Sequence, residues 1–113
     1  MKKYIRVKTN FVGYHRWMDA PDSTAFLRDF HRHIFYVDVT IEVTGFNREL
    51  EFFAVKKELD KYIGHFADTQ FDSSCEQIAE GIYTQLSYIY GKDRKYIIEV
   101  SEDGESSGIV ISE

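Results

Sequence analysis

The sequence predicts an α+β fold, an antiparallel four-stranded sheet with two helices on one face. Three observations lead to it. Two long segments before residue 45 alternate apolar and polar residues; two segments between residues 52 and 90 carry apolar residues at helical spacing; two shorter alternating segments follow residue 95. The expected order is ββααββ, in one domain over residues 1–113 without internal repeat or linker.

The first strand is expected over residues 3 to 15, where Ile5, Val7, Thr9, Phe11, Gly13 and His15 share one parity and Arg6, Lys8 and Asn10 the other. Residues 16 to 29 hold the only proline, Pro21, show no period and read as a long loop, a kind of segment that is often functional in compact domains. The second strand, about residues 31 to 44, sets His31, His33, Phe35, Val37, Val39 and Ile41 on one face. Thr44-Gly45-Phe46-Asn47 reads as a turn. Phe52, Val55, Leu59, Tyr62, Ile63 and Phe66 then recur at helical spacing, up to Gly64 as end or kink. Ser73-Ser74-Cys75-Glu76 reads as a capping box opening a second helix with Ile78, Ala79, Ile82, Leu86 and Ile89 on its apolar stripe and Gly91 as C-cap. Strands over Lys95 to Glu102 and Gly108 to Ser112 close the chain. The aromatics Phe52, Phe53, Tyr62, Phe66, Tyr83 and Tyr88 read as core.

Composition narrows the functional classes. At 113 residues, 43% hydrophobic and 16% aromatic, the chain is long enough to bury a core and is not disordered. A net charge of -5 argues against nucleic acid as the main partner, which needs an excess of Lys and Arg on one face. A small anionic ligand needs only a few local cations. The one cysteine, Cys75, has no internal partner, which suits a reducing, cytoplasmic compartment. No apolar run approaches the ~20 residues of a membrane span, and the first residues lack the apolar core of a secretion signal. Long aromatic strands with open edges favour a homo-oligomer whose subunit interfaces cover them.

The chemistry concentrates in three histidines. His31 and His33, one residue apart on a strand, point the same way, and His15 ends the preceding strand on the matching parity. Three imidazoles at one sheet end make a zinc site with an open fourth position. Ser74 and Cys75 fall in the first turn of a helix, where unpaired N–H groups favour polar or anionic ligand atoms. There a cysteine either has a lowered pKa or serves as a small buried residue.

Phe11-Val12-Gly13-Tyr14-His15, His31-Arg32-His33, Ser73-Ser74-Cys75-Glu76-Gln77-Ile78-Ala79 and Glu102 together resemble the motifs of the 6-pyruvoyl- and 6-carboxy-tetrahydropterin synthase family, the latter of queuosine biosynthesis. The resemblance covers nearly the whole chain. It implies a tunnelling fold (T-fold), a homo-oligomer of hexamer type, and Zn2+ held by His15, His31 and His33. It also implies a pterin or purine-like ring held between subunits by Glu102, with Ser74 and Cys75 beside it, and carbon–oxygen lyase activity on 7,8-dihydroneopterin triphosphate. The family's catalytic cysteine precedes its second-strand histidines, where this chain has Ala25, Phe26, Leu27 and Arg28. Proton transfer then falls to Asp22, Asp29, His65 or Cys75, with His65 in the place of the family's catalytic histidine and Asp29 as the leading candidates. The same departure suits a divergent protein that binds such a ligand without this chemistry.

Overall fold

The computed structural model describes residues 1–45 and 47–113; the expected turn at Thr44–Asn47 therefore lies partly outside the described residues. The chain forms β1 (Lys3–His15), a 3-10 helical stretch (Asp22–Arg28), β2 (His31–Val43), α1 (Phe52–Ile63), β3 (Gln70–Phe71), α2 (Cys75–Tyr90), β4 (Tyr96–Glu102) and β5 (Ser106–Ile111). The sheet has five strands in the order β3-β1-β2-β4-β5, not four. The additional strand is two residues long and runs parallel to β1, opposite Tyr14 and His15. Its cause is local: Asp68, at φ 57, turns the chain after α1 and donates to Val12 O, and Thr69 O accepts from Tyr14 N. Two residues carry no detectable period. The segment before β2 is likewise more regular than a loop. Arg28 closes its 3-10 turns by donating to Ala20 O and to Asp22.

β1 and β2 pair antiparallel over 13 positions, and this register positions the histidines. Side chains directly opposite in a ladder share a face. His15 faces His31, Gly13 faces His33, and Phe11 faces Phe35, which in turn faces Glu102 on β4. The same parity continues inward as Val37, Val39, Ile41, Ile98 and Val100, all fully buried beneath Val55 and Leu59 of α1 and Ile78, Ile82 and Leu86 of α2. The histidines are thus the outer end of the core stripe. Gly13 is required here, because a Cβ at that position would come within 2.7 Å of the Phe71 ring. Its bare backbone lets Phe71 reach over the sheet beside Phe35, with ring centroids 5.6 Å apart.

The capping box of α2 lies one residue later than expected. Ser74 is the N-cap, accepting from Gln77 N, and Gln77 returns the bond to Ser74 N. Both frames satisfy the sequence pattern; the observed one leaves the Ser73 carbonyl outside the helix. Gly91, at φ 100, ends α2 as expected. Phe52, Phe53 and Tyr88, expected in the core, are 60%, 82% and 85% exposed at the helix ends. They flank the buried stripe at helical spacing without belonging to it.

Near the opposite end of the sheet, Arg94 donates to Glu49, whose other oxygen accepts from Thr44 N. The Arg94 bond first, then the Thr44 N–H, hold the Glu49 carboxyl down to about 2. A depressed folded-state pKa contributes stability above the unfolded value, which is lost as pH falls through the folded one. Urea midpoints measured between pH 4.5 and pH 2 are therefore expected to fall more steeply in the unaltered chain than in Glu49→Gln. Parallel slopes would contradict this.

Candidate metal centre

His15, His31, His33 and Glu102 each bring one ligand atom into a group in which all four atoms lie within 4.8 Å of one another. The sequence placed the three histidines together; that Glu102 faces them, and not a separate ligand pocket, comes from the β2–β4 register. Glu102 Oε2 is 2.8 Å from His15 Nε2, and Oε1 is 3.8 Å from His33 Nε2.

Each imidazole is fixed through its other nitrogen. His15 Nδ1 donates to Ser73 O at 3.0 Å, His31 Nδ1 to Asp29 O at 2.9 Å, and His33 Nδ1 to Asp103 Oδ2 at 2.7 Å. A carbonyl oxygen or carboxylate only accepts, so each Nδ1 carries a proton, and in the neutral ring the lone pair is then on Nε2. Three rings held in this tautomer are the form in which imidazole ligates a metal. The rings stand edge to face, with centroids 4.6 Å (His15–His31), 4.9 Å (His31–His33) and 5.3 Å (His15–His33) apart. Phe35 floors the group, 5.0 Å from His15 and 5.7 Å from His33.

The donor set fits a divalent cation for a further reason. His15 has an acceptor against both ring nitrogens, Ser73 O and the Glu102 carboxylate, which a single proton cannot satisfy. Double protonation is opposed by burial, the main cause lowering the His15 pKa, although the Ser73 bond and Glu102 pull the other way. A cation held by Nε2 and the carboxylate would satisfy both. Three nitrogens and one oxygen suit zinc.

The remaining expected site residues are placed as follows. Asp29 sits beside His31 through its backbone carbonyl, while its side chain is exposed. His65, just past α1, is exposed and donates Nδ1–H to Tyr62 O at 2.7 Å; it is not one of the four grouped residues. Ser74 spends its hydroxyl oxygen on the α2 cap. Cys75 is buried, and burial, then the charges of Glu102 and Glu76, push its thiol up to about 12; the lowered pKa considered for a helix N-terminus is not present. Asp22 is paired with Arg28, and Arg32 is exposed on the opposite face from the histidines. Asp103 is the residue that sequence reasoning missed. Two surface hollows of about 370 and 380 Å³ lie elsewhere, and neither is lined by any of the four grouped residues.

Solved structures share this architecture. A 6-pyruvoyl tetrahydropterin synthase from Caenorhabditis elegans superposes with a TM-score of 0.75 at 12% identity, over 97% of this chain and 95% of that one. The fold is that of the 6-pyruvoyl tetrahydropterin synthases. The Plasmodium falciparum 6-pyruvoyl tetrahydropterin synthase matches with a TM-score of 0.71 at 16% identity, over 97% of each chain. An uncharacterized protein from Wolinella succinogenes gives 0.83 at 16% identity, over 100% of this chain and 99% of that one. No protein-family model and no curated protein matches the sequence. At such identities the likeness establishes the T-fold, an α+β fold with a five-stranded sheet, and carries no residue role with it. Among the described residues no helix is long and apolar enough to cross a membrane.

Proposed function

We propose that this chain is a zinc-dependent T-fold lyase acting on a pterin triphosphate of the 7,8-dihydroneopterin type. The observation that carries the reading is the grouping of His15, His31, His33 and Glu102, with one ligand atom from each within 4.8 Å of the others, at the sheet end of a fold shared with 6-pyruvoyl tetrahydropterin synthases. Bound zinc would polarise a ligand carbonyl or hydroxyl oxygen and make the adjacent C–H more acidic. His15, His31 and His33 would hold it through Nε2, and the Nδ1 bonds keep the rings from turning away. Glu102 offers a carboxylate either to the metal or to the paired N–H groups of a pterin edge. Ser74 and Cys75, at the start of α2, would offer polar groups to the ligand, and the Cys75 thiol is near enough to feel the Glu102 charge. His65 Nε2 or the Asp29 carboxylate takes the proton as the C–O bond to the triphosphate breaks. The ligand lies between subunits of a homo-oligomer, a reading supported by the short β3, which pairs with β1 at Tyr14 and His15, and by edge strand β5, which exposes Ile109 and Ile111.

A second reading, a pterin or purine binder without this chemistry, is favoured by one observation. The loop before His31 has no thiol, and the only thiol of the chain is buried with its pKa near 12. Zinc-loaded protein incubated with 7,8-dihydroneopterin triphosphate separates the two. Release of inorganic triphosphate, lost in His65→Ala or Asp29→Ala, is the expected result. Saturable binding with the substrate recovered intact would overturn the lyase reading in favour of the binder.

A further inference from the structure

Asp103 is placed with unusual care for a residue in an exposed turn. It adopts φ 57, next to Gly104 at φ 74, and the Glu102 carbonyl accepts from Glu105 N to close the turn. A non-glycine residue rarely holds that backbone conformation, and Asp and Asn are among those that tolerate it. Three hydrogen bonds meet there: Asp103 N donates to Ile34 O, Ile34 N donates to Asp103 Oδ1 at 2.9 Å, and His33 Nδ1 donates to Asp103 Oδ2 at 2.7 Å. Both carboxylate oxygens are therefore committed to β2, one to its backbone and one to the imidazole.

The three histidines are not buttressed alike. His15 and His31 give their Nδ1 protons to neutral backbone carbonyls, His33 to a carboxylate. A carboxylate behind a ligating imidazole fixes its tautomer and makes the far nitrogen a stronger donor. Asp103 also follows Glu102 directly in sequence, so one turn delivers two formal negative charges to the site, which balance a divalent cation ligated by neutral imidazoles. Resting on the metal-site reading above, we infer that Asp103 is the positioning residue of this centre, setting its metal affinity by holding His33 as the Nδ1–H tautomer.

Two substitutions separate this role from a merely structural one. Asp103→Asn keeps a side chain that tolerates positive φ and can still accept from Ile34 N. Its amide group then faces His33 Nδ1, a donor against a donor, and turns the imidazole to the other tautomer with its proton on Nε2. Asp103→Gly suits the turn equally and removes the partner without imposing the wrong tautomer. Zinc affinity, measured by competition with a chromophoric chelator, is expected to fall about 10–100-fold in Asp103→Asn, the range for loss of an outer partner of a ligand. A smaller fall is expected in Asp103→Gly. Nitrogen chemical shifts of His33 in the metal-free protein are expected to show the Nδ1–H tautomer in the unaltered chain and the Nε2–H tautomer in Asp103→Asn. Affinities of both variants within twofold of the unaltered chain, or a larger loss in Asp103→Gly than in Asp103→Asn, would overturn the inference. An unaltered chain that binds no zinc would remove the metal-site reading itself, and the inference with it.

Discussion

Zinc is expected to bind His15→Ala at least about a hundredfold more weakly than the unaltered chain, at or beyond the upper end of the 10–100-fold cost of losing a partner behind a ligand. His15 is the most deeply placed of the three imidazoles at 7% exposure, and it alone contacts Glu102 at hydrogen-bond distance. Removing it takes away one nitrogen and the side chain that lies against the Glu102 carboxylate. Two histidines and an untethered glutamate remain, a set that water competes with easily. Chelator competition measures the loss, and metal-free thermal unfolding checks that the chain is still folded. An affinity within tenfold of the original would show that the cluster does not ligate zinc through His15.

Phe35→Ala is expected to cost about 3–5 kcal/mol of folding stability, the range for a large aromatic removed from a tight core. Phe35 is fully buried, stacked on Phe11 at 5.0 Å and 13°, tilted against Phe71 at 5.6 Å, and in edge contact with two of the histidines. No neighbour can fill the space without leaving the ladder: Phe11 and the histidines are fixed by the β1–β2 register, and Phe71 by β3. Because His15 and His33 rest on this ring, zinc affinity is expected to fall together with stability. Urea unfolding gives the first quantity and chelator competition the second. A cost below about 1 kcal/mol would mean that the layer relaxes freely, contrary to the behaviour of close-packed interiors.

The parts of this fold readable from the sequence are those where a period repeats often enough to be seen. The 13-residue alternations of β1 and β2 set His15, His31 and His33 on the apolar parity of their strands. Phe52 and Phe53 show the limit at helix ends: spacing alone does not say where the core stops. β3 was invisible because two residues have no period, and the 3-10 stretch because its turns are held by Arg28 and backbone bonds and not by a buried stripe. Glu102 was legible as a residue with a role, but its direction toward the imidazoles depends on its pairing with Phe35. Asp103 had a signal of a kind. Asp-Gly after an alternating segment marks a turn with positive φ. The periodicity places that turn at the end of β4, but only the register shows which strand its carboxylate meets.

The pairing that seats the histidines also decides when the centre can come into being. His33 meets a partner 70 positions away and His15 one 58 positions away, so no fragment ending before β4 holds the complete set. Contacts between such distant residues form late, after the loop between them has been closed. Metal at a hundred times its dissociation constant would add about 2.7 kcal/mol to the finished fold and nothing to a chain lacking the site. Zinc occupancy would then report on assembly: a truncated or misregistered chain would lack part of the set, and only a chain whose first and fourth strands have found their places would offer the ion all four residues.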